Sequence, residues 1–224
     1  MFTPQNLLRE ARRQKGRTFG RAPAICVFDP DGDLVDFLQA TGRTHRHPSG
    51  ACYHTVLEVF VQDEIEYGII GRVVGDPFAV LVAEEFYAFG CQLLISITSA
   101  GQILPLGRPP YMVLIDKALR DEGTSNRYPP PTPYSHLGSA LREMVSAHWD
   151  RELVRLHIGA SWTTDRCARP GDGGTDRTAP GRWHSGSGDG GRCSLRLRGF
   201  PGQAISGRLL CPCDQPDGTD RRRF

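Results

Sequence analysis

Three small residues, Ser99-Ala100-Gly101, follow directly after the apolar segment QLLISIT. Backbone N–H groups can approach a phosphate or a sugar only where no bulky side chain intervenes, and a run of small residues gives that access. The same run would also suit a tight turn from a strand into a loop that binds nothing. The segment is therefore a candidate binding loop, with a simple turn as the alternative.

Two further stretches carry polar side chains that could contact a ligand. They are Thr124, Ser125 and Tyr128 in the loop GTSNRYPPP, and Trp162, Thr163 and Asp165 at the end of the segment HIGASWTTD. Judged by spacing alone, the first stretch is equally an ordinary polar loop, and Asp165 is equally a carboxylate at the end of a strand. The residues themselves leave both alternatives open.

Histidines and cysteines do not indicate a metal site. His45, His47 and His54 lack a carboxylate partner at a fixed spacing, and Cys211 and Cys213 are too close together for a usual zinc knuckle. The seven cysteines are scattered along the chain, and no export signal is recognisable, so we expect reduced thiols in the cytoplasm. We expect no metal.

The elements that must position these residues alternate between strands and helices. The segment AICVF predicts a buried strand, LVDFLQATG a short helix, and HTVLEVFVQDEIEYGIIGRVV two strands around a turn. Next, DPFAVLVAEEFYAFGC predicts a helix with Asp76 as its N-cap, Pro77 in its first turn and Gly90 at its end. QLLISIT, YMVLIDKAL, LGSALREMV and RLHIGASWTTD follow as a strand, a strand or helix, a helix and a strand.

This order predicts an α/β fold with a mixed central sheet flanked by helices. Ligands of such sheets bind at the carboxyl ends of the strands. The informative loops are therefore those that follow the predicted strands, and they include the small-residue run and the end of HIGASWTTD.

The composition changes abruptly after Asp165. Residues 166–224 contain 12 Gly, 11 Arg and 6 Asp but no Glu, Lys, Val, Met or Tyr, which gives them a formal charge of +5. So few apolar residues cannot offset the entropy of an ordered chain, and we expect disorder there. The predicted organisation is an N-terminal arm at 1–21, an incomplete domain at 22–165 and a Gly/Arg-rich tail at 166–224.

The charge and hydropathy of the chain argue against two classes of partner. No run of 18 apolar residues is present, so no membrane span is expected. The arginines of the tail, such as Arg221, Arg222 and Arg223, could suggest nucleic acid binding. The tail has no lysine and no interleaved aromatic residues, however, so we expect no nucleic acid partner.

Three stretches in order resemble the nucleoside phosphorylase family, in particular its uridine phosphorylase-like branch. They are VVGDPFAVLVAEEFYAFGCQLLISITSAGQI, DEGTSNRYPPP and HIGASWTTD, and the resemblance covers roughly residues 22–165. It implies cleavage of the N-glycosidic bond of a nucleoside, with phosphate as the attacking group in phosphorylases and water in nucleosidases. It also implies no cofactor besides phosphate as a possible co-substrate, and a homo-oligomer as partner.

The resemblance assigns roles to particular residues. It implies that Ser99, Ala100 and Gly101 approach the phosphate or ribose, and that Asp165 contacts the departing base. It places Asp29 and Gly75 in phosphate loops. The residues that it places in the nucleoside pocket are Thr124, Ser125, Tyr128, Trp162 and Thr163.

The chain departs from the family at two phosphate contacts. The first phosphate loop of the family usually carries a Gly before Asp-Pro and an Arg shortly afterwards. Here Phe28 precedes Asp29, and Asp33 lies about where the Arg belongs. Ser96 stands where a second phosphate-binding Arg often lies. A carboxylate repels phosphate, so water or another acceptor stays open beside phosphate.

The ribose-binding motif Val-Glu-Met-Glu of the family is missing after Asp165, but a neighbouring reading frame can encode it. With allowed codons for GDGGRCSLRLR at 188–198, a shift of one base gives Glu-Met-Glu-Ala-Ala-Ala-Leu-Tyr-Ala-Phe, and a Val can precede it. The same shift turns LCPCDQPD at 210–217 into Ser-Ala-His-Val-Thr-Asn-Gln, which resembles the strand that follows the motif. We therefore expect a frameshift, with a genuine basic tail as the alternative.

These observations predict a nucleoside phosphorylase-like enzyme for uridine or purine nucleosides whose activity is impaired in this chain. The alternatives are a nucleosidase that uses water and a non-catalytic relic that still binds nucleosides. Ligand binding without turnover would distinguish the relic from an enzyme.

Overall fold

A computed structural model describes residues 3–50, 52, 54–100, 106–107, 110–128, 132–164 and 205–210. It divides into two compact units, of which the first comprises residues 1–97 and 209–224 and the second residues 98–208. The architecture is α/β with a mixed sheet flanked by helices, as the sequence predicts. No helix in the described part of the chain is long and apolar enough to cross a membrane.

The first unit contains three helices and most of the strands. In chain order these are α1 (Pro4–Lys15), β1 (Ile25–Asp29), α2 (Asp33–Ala40), β2 (Thr44–Arg46), β3 (Glu58–Gln62), β4 (Ile65–Gly71), α3 (Asp76–Phe89) and β5 (Leu93–Ser99), whose last two residues belong to the second unit. Their strand order is β2-β3-β4-β1-β5, with β1 parallel to both β4 and β5. The pairs β2–β3 and β3–β4 are antiparallel, which makes the sheet mixed.

Strand β1 is buried on both faces, as a central parallel strand must be. Phe28 is 2% exposed and stacks on Phe86 of α3, with the ring centroids 5.7 Å apart. The neighbouring Val27 points the other way and packs with Val35 and Leu38 of α2. Alternation along one strand thus supplies two apolar clusters, one against each covering helix.

Helix α1 is part of this core. Thr3 caps its N-terminus, with its hydroxyl accepting from the Asn6 N–H at 3.2 Å, and Gly16 ends it in the left-handed conformation. Leu8 and Ala11 are buried, and the helix packs against α3. Lys15 donates to the backbone oxygen of Cys52. The segment predicted only as an N-terminal arm therefore includes a helix that packs into the core.

The β3–β4 hairpin and α3 match the sequence closely, with one correction. Asp63 and Glu64 form the turn with φ of 49° and 65°, next to the Gln62 that ends β3. Pro77 lies in the first turn of α3, and Gly90 ends it with φ of 106°. The N-cap, however, is Gly75 and not Asp76, which is the first helical residue. The prediction of an Asp76 cap was wrong because the chain enters α3 through a glycine-specific conformation at position 75.

The second unit is built around one long strand. Its elements are β6 (Met112–Asp121), a 3₁₀ turn η1 (Ser125–Arg127), β7 (Tyr134–His136), α4 (Ser139–His148), β8 (Leu156–Thr164) and β9 (Ile205–Leu210), which ends in the first unit. Strand β6 pairs with β8 in parallel over its whole length and with β7 antiparallel at its C-terminal half. At its start it also pairs in parallel with β9. Strand β9 is the part of the tail that the structure describes.

Candidate functional site

A carboxylate within the loop between β1 and α2 accepts hydrogen bonds from the backbone of the same segment. We call Asp29–Asp33 the acidic loop. Asp29, which ends β1, is 2% exposed, and its carboxylate accepts from the N–H of Gly32 at 3.2 Å and of Val35 at 2.9 Å. Burial raises the pKa of Asp29, although the hydrogen bonds from Val35 and Gly32 oppose the rise. Asp29 lies at the start of the loop before α2, and its carboxylate therefore caps the N-terminus of that helix.

An arginine from the next strand reaches the acidic loop. Arg72 follows β4 in the left-handed conformation, and its N–H donates to the Asp29 carbonyl at 2.7 Å. Its Nη2 donates to both carboxylate oxygens of Asp36, at 2.8 and 2.6 Å. The guanidinium carbon lies 3.0 Å from where a Cβ on Gly32 would stand. Arg72 therefore fills the space that a side chain at position 32 would need.

Gly75 is the N-cap of α3 and has a φ of 92°, a conformation that glycine adopts without strain. Its carbonyl accepts from the Ala79 N–H at 2.9 Å, which starts the helical ladder. No side chain caps this N-terminus, and Asp76 lies in the first turn. Both predicted phosphate-loop residues thus lie in the first unit. Asp29 lies between β1 and α2, and Gly75 lies between β4 and α3.

The small-residue run begins at the end of β5. Ser99 is the last residue of the strand and is 9% exposed, while Ala100 is exposed. Gly101 lies outside the described residues. Ser96, in the position where the family often has an arginine, pairs in register with Phe28 of β1.

In the second unit, Thr124 and Ser125 are held by a buried glutamate. Glu122 is 8% exposed, and its carboxylate accepts from the Thr124 N–H at 2.6 Å and from the Ser125 N–H at 2.9 and 3.1 Å. These bonds fix the turn η1 directly after β6. The backbone donors of this loop therefore face a carboxylate of the protein itself.

Arg120 ties the other side of the same loop. Its Nη2 donates to the carbonyl of Tyr128 at 2.7 Å and to that of Ser125, and its Nη1 donates to the Thr132 carbonyl at 3.3 Å. Its Nε donates to the Ser125 hydroxyl at 3.3 Å. Arg120 and Glu122 together position the predicted loop residues Ser125 and Tyr128.

The structure brings Trp162 and Thr163 to the same end of the sheet as this loop. In the β6–β8 register, Thr163 opposes Arg120 and Trp162 opposes Leu119. The indole Nε1 donates to an Asp121 carboxylate oxygen at 2.7 Å, across the two strands. Asp165, the predicted catalytic residue, lies outside the described residues.

Sequence reasoning missed Arg72, Arg120, Asp121 and Glu122. Glu122 and Arg120 lie beside the quoted loop, and the sequence RDEGTSN carries a usable signal, since an acidic residue before Gly-Thr-Ser can accept from the N–H groups that follow. Arg72 carried no such signal, because its partner Asp36 is distant in the chain.

The histidines have local partners. The Nδ1 of His47 accepts from the Ser49 N–H at 3.1 Å, and its ring meets Phe89 edge-on at 5.5 Å. His45 pairs with Val59 in the β2–β3 ladder. Within the described residues, no group of three or more His, Cys, Asp or Glu could hold a metal ion.

Comparisons with known proteins give the chain a family. The phosphorylase superfamily model matches residues 24–170. Among curated proteins, none matches the sequence.

Solved structures share the fold at low sequence identity. Uridine phosphorylase from Vibrio fischeri in complex with 6-hydroxy-1-naphthoic acid is 17% identical with a TM-score of 0.56, over 69% of this chain and 66% of that one. Purine nucleoside phosphorylase from Toxoplasma gondii in complex with immucillin-H is 12% identical with a TM-score of 0.56, over 68% and 61%. Futalosine hydrolase of Helicobacter pylori is 13% identical with a TM-score of 0.50, over 68% and 71%.

The match spans less than two thirds of the length of the two phosphorylases. The family model itself covers most of this chain, including Gly75, the Ser99-Ala100-Gly101 run and Trp162. The chain belongs to the phosphorylase superfamily.

Proposed function

We propose that this chain represents an enzyme that cleaves the N-glycosidic bond of a uridine or purine nucleoside, and that its activity is impaired here. The observation that carries the proposal is the family match through residues 24–170, which includes every residue that we assign to the site. In the nucleoside cleavage proposed here, the protein holds the ribose, donates hydrogen bonds to the departing base and places an acceptor near the anomeric carbon. The acceptor is phosphate in a phosphorylase and water in a nucleosidase.

The assigned roles divide between two sets of residues. Asp29, Gly75, Ser99, Ala100 and Gly101 would lie on the acceptor and ribose side. The residues on the nucleoside side would be Thr124, Ser125, Tyr128, Trp162, Thr163 and, as the group that contacts the base, Asp165. The held geometry of Ser125 and Tyr128 supports this assignment, because a fixed loop positions a ligand better than a mobile one. No cofactor is invoked.

The impairment would come from a shifted reading frame after about residue 165. The match to the family model ends at residue 170, close to the start of the Gly/Arg-rich segment 166–224, which contains no Glu, Lys or Val. The neighbouring frame can encode both the ribose motif and the strand after it. Sequencing the gene across codons 158–224 tests this directly: a missing or extra base near codon 165 supports it, and an intact frame contradicts it.

The enzymatic proposal is tested with a panel of uridine, inosine and adenosine. Incubation with each nucleoside, with and without phosphate, is followed by chromatography of the released base and by calorimetric titration of the intact nucleoside. The impaired enzyme should bind at least one nucleoside and release base slowly, and the frame-corrected enzyme should release it quickly. Binding by both proteins without any release would favour the relic, and no binding by either would refute the proposal.

The same preparations test the proposed homo-oligomer. Light scattering after gel filtration measures the mass of the frame-corrected protein. A mass of two or more chains is expected, and a monomer that cleaves nucleosides would contradict the assembly but not the reaction.

A further inference from the structure

The first unit places two helix N-termini after parallel strands, and such positions commonly bind anions. Strand β1 leads into α2, and β4 leads into α3. Helix N-termini attract phosphate because their first N–H groups are unpaired and the helix dipole is positive there. The contacts made by these two N-termini therefore bear on which acceptor the enzyme could use.

At α2 the donors are already occupied. The Asp29 carboxylate accepts from the N–H groups of Gly32 and Val35, and this side chain is 2% exposed. A phosphate could reach those N–H groups only by displacing a buried carboxylate that is covalently part of the loop. Asp29 thus takes the position of an anion at its own helix.

The side chains around the loop add negative charge. Asp33 and Asp36 both lie in the first turn of α2, and Asp31 lies in the loop. A dianion that approaches this turn meets like charges on the same turn and loop, which costs free energy at any ionic strength where screening is incomplete. At α3, Asp76 gives the first turn a carboxylate too.

The positive charge of Arg72 does not make this negatively charged turn attractive to phosphate. Its Nη2 is bonded to both oxygens of Asp36, and its charge also interacts with Asp29 and Asp33. The guanidinium also packs against Gly32, so the arginine is held between Asp36 of α2 and the acidic loop. A paired guanidinium attracts an external phosphate much less than a free one does.

We propose that the acidic loop excludes inorganic phosphate, so that the enzyme uses water as the acceptor and is a nucleosidase; this inference rests on the proposed nucleoside cleavage. The bond between the anomeric carbon and the base nitrogen breaks, with its electron pair leaving on the base. A water oxygen forms the new bond to the anomeric carbon. One water proton is transferred to the base, and the products are free ribose and free base.

The test titrates inorganic phosphate into the full chain and three variants, with ³¹P NMR as the readout. Asp36→Asn removes the carboxylate that accepts both hydrogen bonds from Arg72, and with it one negative charge. Arg72→Gln removes the cation. Asp63→Asn changes an exposed aspartate of the β3–β4 turn, and it is the matched control because Asn tolerates the left-handed conformation there. Near-UV circular dichroism checks that each variant keeps its fold.

The wild-type chain, Arg72→Gln and Asp63→Asn should show no saturable phosphate binding at millimolar concentration, whereas Asp36→Asn should gain saturable binding in that range. Saturable submillimolar binding by wild type would overturn the inference, whether or not Arg72→Gln abolished it. A folded Asp36→Asn variant without any gain would overturn its electrostatic basis.

Turnover by the frame-corrected protein gives an independent readout. Its rate should not change when phosphate is added, and its sugar product should be free ribose rather than ribose 1-phosphate. A rate that depends on phosphate would overturn the inference and leave the proposed nucleoside cleavage intact. Nucleoside titration of the same samples distinguishes this result from failure of the proposed function, which would abolish nucleoside binding.

Discussion

The two units of the molecule differ in how well their sheets are covered. In the first unit, α2 and α3 cover opposite faces of β1, and fully buried side chains include Phe86, Ile69 and Leu94. In the described part of the second unit, the buried apolar residues are Tyr111, Leu114 and Ile115, and α4 has no buried residue.

Exposed apolar side chains occur in both units, and in the first unit Phe19 is 84% exposed and Val74 is 69% exposed. Ile158 of β8 is 49% exposed, Met144 of α4 is 50% exposed and Leu153 is 67% exposed. An α/β sheet normally has helices on both faces. The difference between the units therefore lies in the helix cover, since α4 buries no residue in the described part of the second unit. The proposed frameshift would have removed a helix and a strand from this unit.

Restoring the reading frame should produce the largest effect. Each large apolar side chain that becomes fully buried contributes about 1.5–3 kcal/mol, so a recovered helix and strand should raise the melting temperature markedly. Differential scanning calorimetry and base release measure the gain. If the corrected protein melted at the same temperature and cleaved no nucleoside, the contrast between the units would need another cause.

Phe86→Ala should come next, because it removes a fully buried ring that stacks on Phe28. We expect a loss of about 3–5 kcal/mol in the free energy of unfolding. Met144→Ala in α4 is the matched substitution in the second unit, and about 0.5 kcal/mol or less is expected there. Urea unfolding followed by circular dichroism compares them, and equal losses would refute the difference in coverage.

Asp29→Ala should have a moderate effect. It leaves the N–H groups of Gly32 and Val35 without their acceptor in a buried place, at a cost of about 1–3 kcal/mol. Asp33→Ala, at an exposed position in the same loop, should cost only about 0.3–1 kcal/mol through the helix dipole. The midpoints of urea unfolding separate the two, and a larger loss for Asp33→Ala would show that Asp29 is not the cap.

The pH dependence of stability should show the smallest effect, through His47. Burial lowers its pKa below the usual 6.5, so the unfolded chain binds a proton more readily than the folded one. Stability is therefore greatest above pH 6.5 and falls as the pH drops below it, because protonated Nδ1 can no longer accept from Ser49.

The variant His47→Asn tests this origin, since an amide oxygen can accept the same hydrogen bond without titrating. Melting temperatures between pH 5 and 8 should fall less steeply toward low pH in the variant than in the parent. Identical slopes would assign the pH dependence to other groups.

Local pattern was sufficient to predict β1, α2, β3, β4, α3 and β5 of the first unit, but it did not predict α1 or β2. Alternating residues predicted the β3–β4 hairpin, and Pro77 and Gly90 marked the ends of α3, because these signals act within a few residues. The prediction that Asp76 is the N-cap of α3 was wrong, because an acidic residue caps a helix only if the backbone conformation of the residue before it allows this.

The site was only partly accessible from the sequence. The loops that hold Thr124, Ser125, Trp162 and Thr163 could be found, but the side chains that fix them could not. The bond from Trp162 to Asp121 and the ion pair of Arg72 with Asp36 join residues 41 and 36 positions apart. Such pairs depend on strand register and topology, which a single sequence does not reveal.

The docking of α1 on α3 has a consequence for synthesis of the chain. The helix that contains Leu8 and Ala11 leaves the ribosome long before its partner, which ends at Phe89. The apolar face of α1 therefore stays without its partner while the ribosome translates more than half of residues 1–97. Residues 1–97 of the first unit can then fold while the codons after 165 are still untranslated, since chains fold from the N-terminus during translation. A change of reading frame would thus reach the ribosome only after the best-packed half of the protein had formed.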